Sequence, residues 1–459
     1  MMTPLPADFV ARLRAQYSLP EAEALLAALD GTAAVTSVRR NPLKAVPCVA
    51  DGGVPVPWCS AGRVLAERPS FTRDPLFHAG AYYVQEAASM FVAAAYAAIV
   101  ADAGAAPTRL LDLCAAPGGK STLWRALLPD GALLVANEPV RVRAQVLAEN
   151  LTKWGHPDVV TTSGYGADFA ALRDFFDVIA TDVPCSGEGM FRKDETARSE
   201  WSAAAVQACA DRQWDIVSSV WPALRPGGYL VYSTCTFNRE ENEDMAARIA
   251  RDLGADVLPI AIDPAWGVLT DPAGSGLPVY HFLPSRTVGE GFCLTLLRKH
   301  GSAPAASPRR QKGRGREAKA TGASLVAPWL TESGRYRLFA PAESHVAAVS
   351  ETLYDAVQRV RDVVPTLTSG VLLAELKGKK AVPQHALAMS VACRADAFAR
   401  VPVDEATALG YLHREAVVLP PSAPRGYVVL TYGGLPLGFV NNLGARANNM
   451  YPPEWRIRF

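Results

Sequence analysis

From Arg109 onward the chain alternates short apolar runs with longer amphipathic stretches. Leu110-Leu111-Asp112-Leu113, Ala132 to Ala136, Asp158 to Thr162, the run ending at Asp182, and Tyr229-Leu230-Val231-Tyr232 are short apolar runs. Runs of this kind read as strands buried on both faces of a parallel sheet. Between them, Gly119 to Leu128, Val140 to Trp154, about 200–224, and Glu240 to Leu253 read as helices, and Phe292 to Leu297 reads as a late strand. This rhythm predicts an α/β, doubly wound parallel sheet. Upstream, residues 5–29 read as two short amphipathic helices broken near Ser18-Leu19-Pro20. Residues 35–80, rich in Pro and Gly, suggest a small β module, and Gln85 to Ala101 an Ala-rich helix. Beyond Ser324 the pattern predicts a helix near 341–362, then short strands with turns at Lys377-Gly378, Pro420-Pro421 and Gly433-Gly434. That is the pattern of a small α+β or β-barrel domain.

Length and composition narrow this picture. A chain of 459 residues exceeds one ordinary core and implies two or three domains. The longest apolar run, Phe91 to Ala101, is half a bilayer span, so no membrane segment is expected. The N-terminus lacks a basic-then-apolar signal pattern, which favours a cytoplasmic protein. None of the 8 cysteines shows CxxC spacing or a zinc pattern with histidines, so no metal site is expected and the thiols read as free. Net charge is only +1, but its distribution is uneven. Of 46 basic and 45 acidic residues, six and one fall in 301–320, leaving 40 and 44 elsewhere. That Gly- and Arg-rich segment cannot bury a core and reads as a flexible basic linker.

The chemistry concentrates where strands end. Thr181-Asp182-Val183-Pro184-Cys185-Ser186-Gly187-Glu188-Gly189 follows one apolar run, and Ser233-Thr234-Cys235-Thr236 follows another. Ligands of open α/β sheets bind at the carboxyl ends of strands. Two strand-end thiols beside a carboxylate are therefore candidates for one pocket, although buried inert thiols are common. Cys114-Ala115-Ala116-Pro117-Gly118-Gly119-Lys120-Ser121 follows the first core strand and opens a helix. It imitates a phosphate-binding P-loop, but Cys114 stands where that motif needs glycine. A nucleoside-cofactor loop fits better. Glu138, at the end of the second strand, suits a pair of ribose hydroxyls, and no GxGxxG supports a dinucleotide.

With these residues in view, the sequence resembles the NOP/SUN group of RNA cytosine-C5 methyltransferases, which use S-adenosylmethionine. The resemblance rests on Leu111-Asp112-Leu113-Cys114-Ala115-Ala116-Pro117-Gly118-Gly119-Lys120, Asn137-Glu138, Asp182-Val183-Pro184-Cys185-Ser186-Gly187-Glu188-Gly189 and Ser233-Thr234-Cys235-Thr236. Within the group it is most similar to the bacterial F-type small-subunit rRNA enzymes. Gly187 to Lys193, Gly80 to Glu86 and Tyr451 to Arg456 carry that likeness, and coverage runs from about Arg39 to the C-terminus.

The resemblance implies a Rossmann-like, seven-stranded methyltransferase core with one antiparallel strand, Phe292 to Leu297. It implies an N-terminal RNA-contacting module over 1–80, the core over 81–300, the linker over 301–323 and a PUA-like RNA-binding domain over 324–459. It assigns Cys235 as the nucleophile that adds to cytosine C6. Cys185 then assists loss of the C5 proton or release, and Asp182 holds the N3/N4 edge. Cys114, Ala115, Ala116, Pro117, Gly118, Gly119, Lys120, Glu138 and Asp182 are the expected cofactor-binding set. Lys193 is a candidate for favouring a thiolate. One departure stands out: where the family commonly has an acidic residue after the third strand, this chain has Thr161-Thr162-Ser163-Gly164-Tyr165-Gly166, with the Gly164 backbone groups or Asp168 as substitutes. The expected partner is small-subunit ribosomal RNA or its assembly intermediate, with no membrane and a monomeric enzyme. The rivals are tRNA as substrate, or a catalytically silent RNA-binding assembly factor.

Overall fold

The computed structural model describes residues 3–31, 33–302 and 322–458. The expected basic linker therefore lies mostly outside the described residues. The centre is a sheet whose core strands are β1 (Arg109–Asp112), β2 (Leu133–Asn137), β3 (Val159–Thr162), β4 (Phe176–Asp182), β5 (Leu224–Thr234), β6 (Ala255–Leu258) and β7 (Phe292–Lys299). Their order is β3-β2-β1-β4-β5-β7-β6. The first five are parallel. β7 is antiparallel to both neighbours, so β6 runs with the rest. The seven-stranded core and its antiparallel Phe292 strand thus stand as expected.

Alternate side chains of each strand enter opposite layers, as a pleated strand requires. Leu110, Leu134, Val178 and Val231 join one apolar cluster; Leu111, Val135, Ile179 and Leu230 join the other. The crossovers include α1 (Gly119–Leu127), α2 (Arg141–Trp154), α3 (Ala203–Val220) and α4 (Glu243–Leu253). Strand order reverses between β1 and β4, which opens a crevice at their carboxyl ends.

Three further strands make ten in all. Leu269–Thr270 and Tyr280–Phe282 extend the β7 edge. β8 (Thr366–Ser369), from the C-terminal region, pairs antiparallel with β3 at the other edge. Around this core lie a four-stranded N-terminal sheet built from residues 36–84 and two four-stranded C-terminal sheets.

Two local expectations change. The helix expected near 341–362 is confined to Tyr354–Arg361, because His345–Ser350 is a strand whose Val346 to Val349 are buried. Two alanines raised helix propensity there, and burial within a sheet overrode it. The helix expected from Gln85 begins at Val92, after a turn of 3-10 helix at Ala88–Phe91. Gln85 instead accepts a 2.7 Å hydrogen bond from Arg39.

The two ends of the chain both pack on the core. The helices Ala7–Gln16 and Leu19–Gly31 bury Phe9, Leu25 and Leu29 with Phe191, Trp201 and Phe237. At the other end, Asp158 beside β3 accepts from the Ser350 amide at 3.1 Å and hydroxyl at 2.9 Å. Val38 and Tyr82 share a core with Tyr411, Leu437 and Tyr451.

Candidate active site

β4 and β5 run side by side, with Asp182 opposite Ser233. The loops that follow therefore start from neighbouring points, and the two thiols meet. Cys185 Sγ lies 3.1 Å from Cys235 Sγ, and the Cys235 amide donates to the Cys185 sulfur at 3.3 Å. The hydrogen bond to Cys235, with burial, raises the Cys185 thiol well above the ordinary thiol range. Cys185 therefore holds its proton.

Asp182 is gripped on both oxygens. The Ser233 hydroxyl donates to one at 2.8 Å, and the Lys120 ammonium to the other at 2.8 Å. Burial lowers the pKa of Lys120, but the attraction and hydrogen bond of Asp182 outweigh it, so the net shift is upward. The lysine stays charged and also feels Cys235. Lys120, expected among the cofactor contacts, thus reaches across from the start of α1 to the thiol side. Lys193 is occupied elsewhere: it pairs with Glu290 at 3.0 Å, next to Arg192 on the same carboxylate at 2.9 Å.

The loop Cys114 to Gly119 leaves β1 and enters α1. Gly118 sits at φ +116°, a conformation that favours glycine, and caps the helix. Its other carbonyls are pinned: Asn150 donates to Pro117 at 2.8 Å and Arg143 to Ala116 at 3.2 Å. Burial pushes the Cys114 thiol up to about 12, so it is an inert wall rather than a nucleophile. Glu138 follows β2 and is buried. One oxygen accepts from the Val140 amide at 3.0 Å; the other faces Arg143 at 3.4 Å. This preformed loop, with a buried carboxylate at the next strand end, fits a nucleoside bearing vicinal hydroxyls.

After β3, both backbone groups of Gly164 are taken by Asn137, at 2.9 and 2.8 Å. Asp168 accepts from the Tyr165 amide at 2.8 Å. Ser163 donates its amide to Pro365 at 2.8 Å, so the C-terminal region borders this corner.

Sequence reasoning missed Ser233 and the carboxylates Glu188 and Glu241, both buried in the thiol loops. Glu188 stood inside a quoted motif, but nothing in a linear pattern says which way an acidic residue points. Among the described residues no cluster of His, Cys, Asp and Glu could hold a metal, and no helix is long and apolar enough to cross a membrane.

A seven-stranded sheet of this order, with a glycine-rich loop after β1 and an acidic residue after β2, defines the class of Rossmann-like methyltransferases. The comparisons with known proteins agree. The model described as 16S rRNA methyltransferase RsmB/F matches residues 103–298, the N-terminal domain of 16S rRNA methyltransferase RsmF matches 5–87, and the methyltransferase RsmF PUA domain matches 398–457. Ribosomal RNA small subunit methyltransferase F of Serratia proteamaculans is 34% identical over 415 residues, covering 87% of this chain and 84% of the relative. The protein of that name from Escherichia coli O157:H7 is 33% identical over 422 residues, with 87% and 84% covered. A solved methyltransferase homologue from Pyrococcus horikoshii superposes with TM-score 0.53 at 26% identity, over 63% of this chain and 94% of its own.

The chain belongs to the ribosomal RNA small subunit methyltransferase F family. It is an S-adenosylmethionine-dependent methyltransferase with a C-terminal PUA domain.

Proposed function

We propose that the enzyme methylates C5 of cytosine in small-subunit ribosomal RNA, with Cys235 adding covalently to C6 of the base. The observation that carries this reading is the pair of thiols 3.1 Å apart beside Asp182. The rRNA substrate is supported by the names of the relatives and by the PUA match. A cytosine stacked in a helix covers its C6 face, so the target is splayed out or single-stranded.

Residues Cys114 to Lys120 and Glu138 would hold S-adenosylmethionine, Glu138 through the ribose hydroxyls. When bound, that cofactor supplies a methyl group on an electrophilic sulfonium. Cytosine C5 is a poor nucleophile until C6 is saturated. The Cys235 thiolate forms the S–C6 bond, and the electron pair of the C5–C6 double bond moves toward C5 and the N3 side. Asp182, its carboxylate fixed by Lys120 and Ser233, accepts from the N4 amino group and orients the base, and the Lys120 ammonium beside it offsets the negative charge that builds on the ring. Once C5 carries the methyl, its proton must leave. That proton passes to water with Cys185 assisting the transfer, the C5–H electron pair re-forms the C5–C6 double bond, the S–C6 bond breaks, and its electron pair returns to Cys235. The hydrogen bond to Cys235 and burial raise the Cys185 thiol and disfavour its thiolate, which argues against Cys185 as the attacking group. The enzyme works as a cytoplasmic monomer without a membrane partner.

The test is a denaturing gel of three variants incubated with the RNA and S-adenosylmethionine. Cys185→Ala forms the adduct but cannot resolve it, so it traps RNA. Cys235→Ala and the double variant trap nothing. Trapping by Cys235→Ala would reverse the roles, and trapping by none would remove the covalent mechanism.

A further inference from the structure

The two thiol loops are tied by buried carboxylates that the mechanism above does not use. Glu188, in the loop after Cys185, is 1% exposed and reaches into the loop after Cys235. One of its oxygens accepts from the Thr236 hydroxyl at 2.6 Å and from the amides of Phe237 at 2.8 Å and Asn238 at 3.0 Å. The other accepts from the Trp201 indole and the Asn238 side chain, each at 3.0 Å. Glu241, in the stretch after Cys235, reaches back. It accepts from the Ser186 amide at 3.1 Å, from Gln213 at 2.6 Å and from Asn238 at 2.8 Å. Asn238 is thus held by both carboxylates.

Glycine geometry makes the crossing possible. Gly187 takes φ +73° and turns the chain so that Glu188 points inward. The Gly189 amide donates to the Cys235 carbonyl at 2.8 Å, and a Cβ there would lie 2.8 Å from that same oxygen. Gly187-Glu188-Gly189 therefore reads as a hinge, a hook and a close approach.

Among the described residues, no hydrogen-bonding partner of Glu188 is a cation. Five neutral donors surround this buried carboxylate and fix its orientation. We propose that Glu188 is a positioning residue that sets the distance between Cys185 and Cys235, with Glu241 as its reciprocal anchor. This rests on the reading that both thiols take part in the reaction, and the test separates the two claims.

Two readouts are taken on Glu188→Gln and Glu188→Ala. The first is methyl transfer to RNA, resolved into kcat and KM. The second is the rate at which diamide joins Cys185 to Cys235, followed by mass spectrometry. In that step the two thiols lose two protons and two electrons, forming the S–S bond, and the N=N bond of diamide becomes a hydrazine. This second readout needs no RNA, no cofactor and no assumed mechanism.

Glutamine keeps the volume but turns an amide N–H toward donors on one side of the clasp. Glu188→Gln lowers kcat by about tenfold and Glu188→Ala by on the order of 10²-fold, the cost of displacing a reacting group by about 1 Å. KM for RNA stays within about twofold, because no binding contact is removed. Cross-linking by diamide slows in parallel. If the alanine variant does not fold, the glutamine variant carries the test, with circular dichroism confirming its fold. Wild-type cross-linking rates in a folded variant would overturn the clasp whatever happens to kcat. Slowed cross-linking in a protein that forms no adduct with RNA would uphold the clasp and remove the covalent reading.

Discussion

The two ends of the chain read alike in the sequence, as appendages that touch RNA, yet they meet the core in different places. The N-terminal helices lie against the thiol loops. The Gln16 side chain donates to the Phe237 carbonyl at 2.7 Å, and the Tyr17 hydroxyl to the same oxygen at 3.1 Å. Phe9 stacks edge-on against Phe191 and Trp201. Arg12 pairs with Glu240, and Arg198 donates to the Leu29 carbonyl and to Asp30. The C-terminal region instead closes the far edge of the sheet, through β8 on β3 and Asp158 with Ser350. One end bears on the chemistry; the other bears on the sheet and the corner beside the cofactor loop. Proximity to the core is thus not one role but two, and they separate by which property a change disturbs.

Removing residues 322–459 is the largest break. It uncovers the β3 edge and half of the core shared by Val38, Tyr82, Tyr411 and Tyr451. An exposed edge strand with apolar neighbours promotes aggregation. The truncated protein is expected to be insoluble, or to unfold well below the full chain by calorimetry. An intact fold with weakened RNA binding alone would restore the picture of a tethered module.

Glu138→Ala probes the cofactor corner itself. Losing a hydrogen bond from a charged group costs about 1.5–3 kcal/mol, so S-adenosylmethionine affinity measured by calorimetry falls by on the order of 10- to 100-fold. Unchanged affinity would remove Glu138 from that site. The thiol side answers differently. Gln16→Ala combined with Tyr17→Phe strips the Phe237 carbonyl of both side-chain donors, and loosens the loop that carries Cys235. kcat falls by about tenfold, in line with a net loss of about 1.4 kcal/mol, while cofactor affinity holds. A change in cofactor affinity, with kcat intact, would reverse the assignment of the two ends.

How much of this was legible follows from what a linear pattern encodes. Strands β1 to β5 and their helices were readable because each of these strands is apolar on both faces and each helix repeats at its own period. The thiols, Asp182 and the loop from Cys114 to Lys120 were readable because strand ends are where such sites form. β8 was not: Thr366-Leu367-Thr368-Ser369 carries no apolar alternation that a search would favour, and it becomes a strand only because β3 offers a free edge. Nothing in the linear pattern marked Glu188 or Glu241 as buried, since acidic residues seldom lie fully buried. Their burial depends on donors from Trp201, Gln213 and Asn238, which only the folded chain assembles. Lys120 was legible as part of the loop motif, but its pairing with Asp182 was not, because a linear pattern does not show where a long side chain ends.

The smallest effect is a slope with pH, and it sharpens the structural half of the comparison. His385, in the C-terminal region, packs edge-on between Tyr451 and Trp455, at 5.3 and 5.0 Å. Both its ring nitrogens are buried without a hydrogen-bond partner among the described residues. Burial pushes its pKa from 6.5 down to about 3, with Lys153 and Lys44 adding to the shift. The folded-state value is depressed, so the fold holds this ring neutral. The stability this represents is complete above the ordinary value of 6.5 and is lost as pH falls from there toward about 3. His78 and His156, pushed by burial to about 4 and about 3, act in the same direction. His385→Phe keeps a flat ring between the two aromatics and cannot take up a proton. Between pH 6 and 4 the stability of the variant is expected to fall less steeply than that of the wild type. The difference is at most about 1.4 kcal/mol per pH unit, the value of one proton. Comparing the two proteins cancels the carboxylates and the other two histidines, which titrate in both. Parallel stability curves would mean that His385 takes up its proton freely. The seam it lines, between the C-terminal region and α2, would then be open rather than packed.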